Sequence, residues 1–600
     1  MCGFVGYTNR FDGIENMLNT IHHRGPDSIE TLIEKDINLG FARLKIIDLS
    51  NCANQPMIDK NTNSILVFNG EIYNYLTLKD NLKNLGYTFE TNSDTEVLLK
   101  HLIHFGKDGI KDLRGMFAFA FIRDGKILLG RDHFGIKPLY YVCKNGELVF
   151  GSELKALIKN PLVERQLNTE MLLPYTMNQH TFGEKTFIKD INRLPNGHFL
   201  EFDINTKDIN IKKYFEFDFS VKEQTMEEAV TKIRNVLKES VELHKRADVK
   251  VGAFLSGGID SSYVVKLAAP DITFSVGFSE EDGNFDESIY AKELSEMLGI
   301  KNVRKLIDKY EVLENLDTII YYLDEPQANL SSIPLYFLSE LARKHVTVVL
   351  SGEGADELFG GYQAYTDTKR MNQFKNLPDF LKKFIIKINN LTGVIDKEKI
   401  DRAIFPENHF IGEGQIASLN KAKTLISNKY HDGINPFDLT KQFFSKYSKL
   451  ESQQLIDLNF FMQNDILLKA DRMSMAHSLE LRVPFLDVEV FKVSSTLSDE
   501  LKIDGQKTKI ALRNAAKKEL PEAWYNRKKK GFPVPFRYWL YDDKFFNRFK
   551  EVFTSKEAEK FYDTKILMEM LNNHRDKKEL NQRVLYSAYV FLIWYENFIK

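Results

Sequence analysis

The chain has 600 residues, of which 43% are hydrophobic and 28% charged, and its formal net charge at pH 7 is −2. This length exceeds what one hydrophobic core usually holds, so we expect two or more domains. The near-neutral charge excludes bulk attraction to nucleic acid or to an anionic membrane, and the lysine run 528–530 is too short to change this. We therefore predict a soluble protein with no nucleic-acid partner and no membrane partner.

Cysteine usage and the opening of the chain predict the compartment. Cys2, Cys52 and Cys143 are the only cysteines. A low, odd count argues against a disulfide framework and for a reducing compartment. No basic segment followed by an apolar stretch opens the chain, and no apolar run reaches about 18 residues, so we expect neither a signal peptide nor a membrane span. These features predict a cytoplasmic protein.

The first 200 residues are predicted to form short strands joined by turns, with few helices. Residues 65–68 are a strand candidate that ends in a turn at Asn69-Gly70. Residues 116–122 and 126–129 form a hairpin pattern, and residues 94–105 have helical character. Repeated hairpins with few helices predict stacked antiparallel sheets with helices packed outside them.

A polar, charge-mixed stretch at residues 203–225 is the predicted boundary between domains 1–210 and 225–600. Beyond it, β-branched runs alternate with helical periodicity, which predicts a parallel, doubly wound sheet. The runs are 251–255, 272–278 and 346–350, and the helical patterns are 262–269 and 333–345. From about residue 365 the chain is predicted to be mostly helical.

Cys2, in the opening Met1-Cys2-Gly3-Phe4-Val5-Gly6, is the candidate nucleophile. Removal of Met1, which is usual before a small residue, leaves a thiol and a free α-amine on one residue. The amine has a reference pKa of roughly 7.7–8.0 and can activate its own side chain as a nucleophile. A cysteine at position 2 is more often incidental, so the prediction depends on the residues that accompany it.

Four further elements accompany Cys2 in the first hundred residues, at 23–27, 42–44, 69–74 and 93–96, and residues of the last three fit attack on a carboxamide. Asn69 and the adjacent Gly70 offer a side-chain amide and a backbone N–H for an oxyanion hole. Arg43 offers a fork-shaped cation for a substrate α-carboxylate. Asp94 and Glu71 are the candidate carboxylates for an α-ammonium group. Each element alone is commonplace, but their joint occurrence in this order is specific.

A glycine-rich loop follows the predicted strand 251–255 and opens a helix. It reads Ser256-Gly257-Gly258-Ile259-Asp260-Ser261-Ser262. Small residues let backbone N–H groups converge, and the helix N-terminus adds partial positive charge, so the loop predicts an anion cradle. It is not a Walker A loop, because no lysine follows the glycines. The serines can donate to phosphate oxygens, and Asp260 can hold Mg²⁺ beside them.

A second loop follows the strand candidate 346–350 and reads Ser351-Gly352-Glu353-Gly354-Ala355-Asp356-Glu357. In an open α/β sheet both loops would meet at the carboxyl ends of the strands, where ligands bind. Acidic residues beside a triphosphate require metal ions or a cationic substrate group, because a bare carboxylate repels phosphate. The two loops together predict an ATP site with Mg²⁺.

The chain resembles the glutamine-hydrolysing asparagine synthetases from Cys2 to about Pro535. The resemblance also rests on His23-Arg24-Gly25-Pro26-Asp27, Gly130-Arg131-Asp132, Gly151-Ser152-Glu153, Gly360-Gly361-Tyr362 and Leu481-Arg482-Val483-Pro484-Phe485-Leu486-Asp487. It implies an α+β fold followed by an α/β fold. The first would be an Ntn-hydrolase-type αββα class II glutamine amidotransferase domain. The second would be an ATP-pyrophosphatase domain with a doubly wound parallel sheet and a helical C-terminal part.

The resemblance implies a role for each candidate residue. Cys2 would form a γ-glutamyl thioester, and glutamine would be bound by Arg43, Asn69, Gly70, Glu71 and Asp94. The adenosine part of ATP would be contacted by Leu255, Val276, Ser351 and Gly352, and pyrophosphate by Ser256, Gly257, Gly258, Asp260 and Ser261. Glu353 would be needed to form an acyl-adenylate, and Asp356 would help with metal or acceptor. Lys509 would stabilise the phosphate in the transition state.

The implied reaction amidates aspartate with ammonia taken from glutamine, at the expense of ATP. Ammonia must stay unprotonated in transit, so an apolar interdomain passage is expected. The resemblance also implies a homodimer through the first domain.

The acceptor carboxylate stays open at this point. Some family members carry an arginine suited to the aspartate α-carboxylate in the segment 324–334, but Leu330 occupies about that place here. Lys469 or Arg472 is the candidate replacement, and the alternative interpretation is that both lie on a solvated helix face. Without such a cation, the acceptor would be another carboxylate, such as a sugar uronic acid.

A third alternative is a non-catalytic sensor of glutamine or nucleotide. The intact set Cys2, Asn69, Asp260 and Glu353 argues against it, because a sensor has no need of the nucleophile.

Overall fold

The computed structural model describes residues 2–279, 285–366, 377–378, 380–382, 384–385, 387, 410–527, 531 and 533–600. The predictions on Met1 and on the lysine run 528–530 lie outside the described residues. In the described part of the chain, no helix has both the length and the apolar character to span a membrane.

Two antiparallel sheets make up most of the first half of the molecule, a name used below for residues 2–213. The first sheet contains β1 (Gly3–Tyr7), β2 (Ser28–Ile33), β3 (Asn38–Arg43), β8 (Tyr140–Lys144), β9 (Glu147–Gly151) and β10 (Asn192–Arg193). Its described strands have the order β10-β8-β9-β1-β3-β2. The second sheet contains β4 (Met57–Asp59), β5 (Ser64–Ile72), β6 (Gly115–Arg123), β7 (Lys126–Arg131), β11 (His198–Asp203) and β12 (Ile209–Lys213). Its described strands have the order β12-β11-β7-β6-β5-β4.

The two sheets pack face to face, as the hairpin pattern predicts. Phe4 and Phe150 of the first sheet share one buried cluster with Ala120 and Leu129 of the second. The helices of this half are α1 (Ile14–Thr20), α2 (Tyr75–Asn84), α3 (Asp94–Phe105), α4 (Leu154–Leu157) and α5 (Leu172–Asn178). α2 and α3 cover the outer face of the second sheet, and α1 and α4 cover that of the first, which gives four layers.

The elements predicted for this half match the structure with one exception. The helix 94–105 coincides with α3, which Ser93 caps by accepting a hydrogen bond from the Thr95 nitrogen. The predicted turn at Asn69-Gly70 is wrong, because β5 continues through both residues to Ile72 and pairs with β6 over its whole length. Gly70, within β5, has a backbone φ of +152°, a conformation that favours glycine.

The second half, residues 226–600, is built on a parallel sheet. Its strands are β13 (Val251–Phe254), β14 (Ile272–Phe278), β15 (Lys301–Ile307), β16 (Val348–Leu350) and β17 (Glu480–Arg482). The order of the described strands is β15-β14-β13-β16-β17, and every pair is parallel. The strand order reverses between β13 and β16, so ligands are expected at the carboxyl ends of these two strands.

Helices flank this sheet and make up most of the chain after it. Those among the sheet strands are α6 (Met226–His244), α7 (Ile259–Ala268), α8 (Ser288–Leu298), α9 (Lys309–Leu323), α10 (Ser332–Arg343) and α11 (Ala355–Phe359). Those from residue 410 onward are α12 (Leu419–Leu425), α13 (Pro436–Thr440), α14 (Lys449–Ile456), a π-helix (Asp457–Ile466), α15 (Leu467–Met475), α16 (Val488–Ser494), α17 (Asp499–Lys502), α18 (Ile510–Ala516), α19 (Glu522–Tyr525), α20 (Phe536–Trp539), α21 (Asp543–Phe553), α22 (Lys556–Phe561), α23 (Thr564–Arg575) and α24 (Gln582–Phe598).

The predicted strands 251–255, 272–278 and 346–350 correspond to β13, β14 and β16, and the helix predicted at 333–345 to α10. The helix predicted to begin at residue 262 begins at Ile259, because Ser261 and Ser262 of the glycine-rich loop 256–262, called the phosphate loop below, already lie in its first turn. Strand β17 was not predicted, and it lies within the part of the chain expected to be helical.

Candidate active sites

The first candidate site surrounds Cys2, which directly precedes β1. Pairing of Gly3 with Ala42 brings the thiol to the end of β3, and Cys2 Sγ lies 3.8 Å from the Leu44 carbonyl oxygen. The Cys2 nitrogen donates to Asn69 Oδ1 at 3.2 Å. Burial raises the pKa of the thiol above its ordinary value of 9.0. A base must therefore take the thiol proton before attack, which is the role expected of its own α-amine.

Asn69 carries a buried hydrogen-bond donor with no acceptor. Its side chain is fully buried, and its Nδ2 has no hydrogen-bond partner among the described residues. A buried donor without a partner costs folding free energy, so we expect Asn69 Nδ2 to bind an acceptor on a ligand. A Cβ at the neighbouring Gly70 would lie 2.0 Å from the Met116 carbonyl oxygen, so only glycine fits there. The unused donor and the tight glycine are consistent with the predicted oxyanion hole.

Arg43 and Asp94, at the end of β3 and the start of α3, are both buried and both tied to neighbouring polar groups. Arg43 Nη1 donates to the Ser50 carbonyl oxygen and to Asn54 Oδ1, each at 2.7 Å. Asp94 Oδ2 accepts from the Ile72 nitrogen at 3.0 Å, and burial raises the Asp94 pKa to about 6. The fold thus fixes one cation and one carboxylate in the same half as Cys2.

Glu71 faces the second half of the molecule. Its carboxylate lies 3.3 Å from Arg482 Nη2, at the end of β17. Burial raises the Glu71 pKa well above its ordinary value of 4.5, against the opposing effect of Arg482. The predicted glutamine-binding residue therefore has a partner across the boundary between the halves.

The second candidate site is the phosphate loop between β13 and α7. The Ser256 nitrogen donates to Ser261 Oγ at 3.0 Å, and the Gly258 nitrogen donates to Ser256 Oγ at 3.1 Å. These bonds fold the loop back over the first turn of α7. A Cβ on Gly257 would lie 3.1 Å from Arg527 Cζ, so a cation that sequence analysis did not identify lies against the loop.

The second loop packs directly on the first, as the strand order requires. A Cβ on Gly352 would lie 2.6 Å from the Ser261 nitrogen, so the two backbones touch. The other predicted adenosine contacts are buried: Leu255 and Ser351 directly follow β13 and β16, and Val276 lies in β14, two residues before its end. The loops and these three residues therefore come together at the carboxyl edge of the sheet.

Charged residues converge beside the loops. Lys509 Nζ lies 2.7 Å from Asp260 Oδ1 and 2.7 Å from Asp356 Oδ1, and its side chain is buried. Glu353 has an ion pair of its own, with its Oε1 3.5 Å from Lys469 Nζ. The sequence predicted these five residues separately. The structure brings them into two groups: Lys509 with Asp260 and Asp356, and Lys469 with Glu353.

The donors fit Mg²⁺ carried by a triphosphate. Within the described residues, no group of three or more His, Cys, Asp or Glu side chains is placed to hold a metal ion by itself. Mg²⁺ commonly takes one or two carboxylates together with substrate phosphates. Asp260 and Asp356, which converge on a single ammonium group, supply such a pair of carboxylates.

The interpretation of Lys469 and Arg472 as residues of a solvated helix face is wrong. Both are buried on α15, with Lys469 4% and Arg472 1% exposed. Arg472 is also unsuited to be the acceptor cation, because its guanidinium lies 3.2 Å from Asp324 and 3.4 Å from Glu153. Of the two, Lys469, beside Glu353, therefore remains the candidate cation for the acceptor α-carboxylate.

A buried charge network joins the two halves, and sequence analysis did not find it. It contains three cations and three carboxylates, all almost fully buried: Arg24, Lys155, Arg472, Glu153, Asp324 and Asp471. Arg24 and Glu153 occur in motifs that carry the resemblance, which was the available signal. No sequence pattern indicates, however, that Arg24 meets Asp471, 447 residues away.

Comparison with known proteins divides the chain in the same way as its sheets. A family described as "Glutamine amidotransferase domain" matches residues 1–215, and one described as "Asparagine synthase" matches residues 232–596.

Three curated relatives cover most of the chain. Asparagine synthetase [glutamine-hydrolyzing] 1 of Bacillus subtilis (strain 168) is 39% identical, over 99% of this chain and 96% of its own length. Asparagine synthetase [glutamine-hydrolyzing] 3 of the same organism is 28% identical, over 89% of this chain and 87% of its own length. Amidase chyE of Penicillium rubens is 27% identical, over 88% of this chain and 85% of its own length.

Proposed function

The chain belongs to the asparagine synthase family, and from that premise we propose that it converts L-aspartate to L-asparagine with ammonia from L-glutamine, at the expense of ATP. One observation carries the proposal: a single chain holds two separate reaction centres of the required kinds. Cys2 lies beside an unused buried amide donor, and a phosphate loop lies beside a buried lysine that two carboxylates hold.

In the first centre, Cys2 attacks the glutamine side-chain amide. Its α-amine takes the thiol proton and returns it to the departing ammonia, so the charges balance within one residue. Asn69 Nδ2 and the Gly70 N–H stabilise the oxyanion, and water then releases glutamate from the thioester. Arg43 holds the glutamine α-carboxylate, and Asp94 with Glu71 holds its α-ammonium group.

In the second centre, the chain positions ATP and the acceptor carboxylate for formation of an acyl-adenylate. The serines and backbone N–H groups of the loop 256–261 bind the phosphates that leave as pyrophosphate. Leu255, Val276, Ser351 and Gly352 surround the adenosine. Asp260 and Asp356 would hold Mg²⁺ on the phosphates, and the ion would neutralise phosphate charge there. Lys509 stabilises the charge that develops on the phosphoryl group.

Glu353 and Lys469 form the acceptor side of this centre. An ammonium group beside Glu353 suits the α-carboxylate of aspartate, and Glu353 itself suits the α-ammonium group or the incoming ammonia. Ammonia then displaces AMP from the acyl carbon. An apolar passage between the two centres remains a prediction, as does the identity of the acceptor.

We also propose the organisation of the whole protein. Domains 1–210 and 225–600 are supported by the end of β12 at Lys213 and the start of α6 at Met226, which favour a boundary a few residues after 210. A cytoplasmic location is supported by the three cysteines, all of them free thiols. The homodimer through the first domain remains a prediction from the resemblance.

The test supplies purified protein with glutamine, MgATP and aspartate and follows amino acids and nucleotides by mass spectrometry. Asparagine and AMP are expected together, lost in Cys2→Ala and restored in that variant by ammonium. Glutamate without asparagine would show an active glutaminase with another acceptor, and sugar uronic acids would then replace aspartate in the assay.

A further inference from the structure

The backbone of Cys2 is held on both sides. Its nitrogen donates to Asn69 Oδ1 at 3.2 Å, and its carbonyl oxygen accepts from Arg24 Nε at 3.1 Å. A terminal residue frays unless it is tied down, and Cys2 becomes terminal when Met1 is removed. These two hydrogen bonds therefore fix the residue whose thiol reacts.

Arg24 takes its orientation from the other half of the molecule. Its Nη1 lies 2.8 Å from Asp471 Oδ2, and its Nη2 lies 3.0 Å from Asp471 Oδ1. Such a two-pronged pair fixes the plane of a guanidinium group. Nε lies in that plane, so Asp471 sets the direction in which Nε meets the Cys2 carbonyl.

The fit around Arg24 leaves little freedom for another arrangement. The side chain is fully buried, and Nη1 also donates to Glu153 at 2.7 Å. A Cβ on Gly3 would lie 2.9 Å from Arg24 Cδ, so the arginine stem lies directly against the backbone that follows Cys2.

The helix that carries Asp471 also reaches the second reaction centre. Asp471 and Lys469 are two residues apart on α15, so their side chains point to roughly opposite sides of the helix. Lys469 lies 3.5 Å from Glu353. One helical turn thus contacts Arg24 through Asp471 and Glu353 through Lys469.

We infer that Asp471 is a positioning residue for glutamine hydrolysis: through Arg24 it holds Cys2 where the thiol can attack. The inference rests on the proposed function and adds to it that a residue of the second half positions the nucleophile of the first. Glutamine hydrolysis then depends on contact between the two halves, so ammonia is released fastest when they are assembled.

The central variant is Arg24→Gln/Asp471→Asn in the full chain. It removes one cation and one carboxylate, so the buried network keeps its charge balance, which a single substitution would upset. We expect kcat for glutamate release to fall about 10- to 100-fold, the effect of a small misplacement of a reacting group. KM for glutamine should change little, because neither side chain is among the residues assigned to glutamine. Ammonium-driven amidation should keep the wild-type rate.

The matched control is Arg193→Gln/Glu325→Gln. Arg193 and Glu325 form another buried pair across the halves, 2.6 Å apart, and neither contacts Cys2. This variant should keep wild-type kcat for glutamate release. An equal loss in both double variants would mean that a looser interface is the cause, and would overturn the inference.

If the double variant does not fold, Arg24→Lys tests the same inference. Lysine keeps the charge but has no fork and no Nε, so kcat for glutamate release should again fall while ammonium-driven amidation stays. Full kcat in Arg24→Lys would overturn the inference. Wild-type protein that releases no glutamate would instead contradict the proposed function.

Discussion

The ammonium group of Lys509 lies 2.7 Å from both carboxylate oxygens of Asp260, which precedes it by 249 residues. Asp260 lies in the first turn of the helix after the phosphate loop, and Lys509 immediately precedes α18. The contact puts a buried cation where the leaving phosphates are expected, and it keeps two nearby carboxylates from repelling them.

Lys509→Met should therefore lower AMP formation from aspartate, ATP and ammonium by at least about 100-fold, the usual effect of removing a group that stabilises developing charge. Glutamate release from glutamine should be unchanged, because the substitution lies in the other reaction centre. Lys507→Met is the matched control, since Lys507 is exposed two residues away. Equal AMP formation by both variants would contradict the role of Lys509.

Gly352→Ala tests the contact between the two loops. The new Cβ would lie 2.6 Å from the Ser261 nitrogen, so one loop must move away from the other. Overpacking of this kind costs about 1–3 kcal/mol, and KM for ATP should rise about tenfold. Gly531→Ala is the control, because a Cβ at that position would meet none of the described atoms within 4 Å. An unchanged KM for ATP in Gly352→Ala would show that the loops do not jointly bind nucleotide.

The sequence was sufficient to predict several elements in each half of the molecule. The β-branched run at 272–278 and the helix at 94–105 coincide with β14 and α3, because their apolar periodicity is strong and local. The position of the two loops followed from strand order alone, since loops after neighbouring parallel strands meet at one edge.

The contacts between the halves could not be predicted in this way. β17 has only three residues, two of them charged, and it is stable as a buried strand because Arg482 pairs with Glu480 and Glu71. Arg24 and Asp471 are separated by 447 residues, and no periodic pattern links them. The Asn69-Gly70 turn was predicted from local preference, which the long pairing of β5 with β6 overrides.

Asn69→Ala tests the oxyanion hole. It removes the Nδ2 donor and the acceptor of the Cys2 nitrogen together, so kcat for glutamate release should fall about 100- to 1000-fold. Ammonium-driven amidation measured on the same preparation is the control, and it should be unchanged. A loss of both activities would mean that the substitution disturbs the fold rather than the first reaction centre.

The raised pKa of Asp94 predicts that kcat/KM for glutamine hydrolysis falls on the acid side of its pH profile. Burial raises its pKa to about 6, so the carboxylate is lost as pH falls through 6. The partner of the glutamine α-ammonium group is then missing, and kcat/KM for glutamate release should fall about tenfold per pH unit below that value. Asp94→Asn should have low kcat/KM throughout with this limb removed. A limb of the same midpoint in Asp94→Asn would assign the titration to another group.

Arg482→Met tests how far the boundary between the halves depends on one cation. Arg482 lies 3.3 Å from Glu71 and 2.6 Å from Glu480, and all three side chains are buried. The substitution takes the guanidinium away from two buried carboxylates, and breaking a buried ion pair in this way costs about 3–5 kcal/mol in comparable cases. The temperature of thermal unfolding should therefore drop by several degrees at neutral pH.

The pH dependence of that drop distinguishes a charge effect from a packing effect. Without Arg482, burial should hold the pKa of both carboxyl groups above the ordinary value of 4.5. A carboxyl group whose pKa is raised on folding costs stability as pH rises through its unfolded value, because the folded state resists ionisation. The variant should thus lose more unfolding temperature relative to wild type at pH 8 than at pH 5. Arg548→Met, which removes a partly exposed ion pair with Asp317, should change little at either pH. An equal drop at both pH values in Arg482→Met would mean that lost packing, rather than the charge of Glu71 and Glu480, destabilises the boundary.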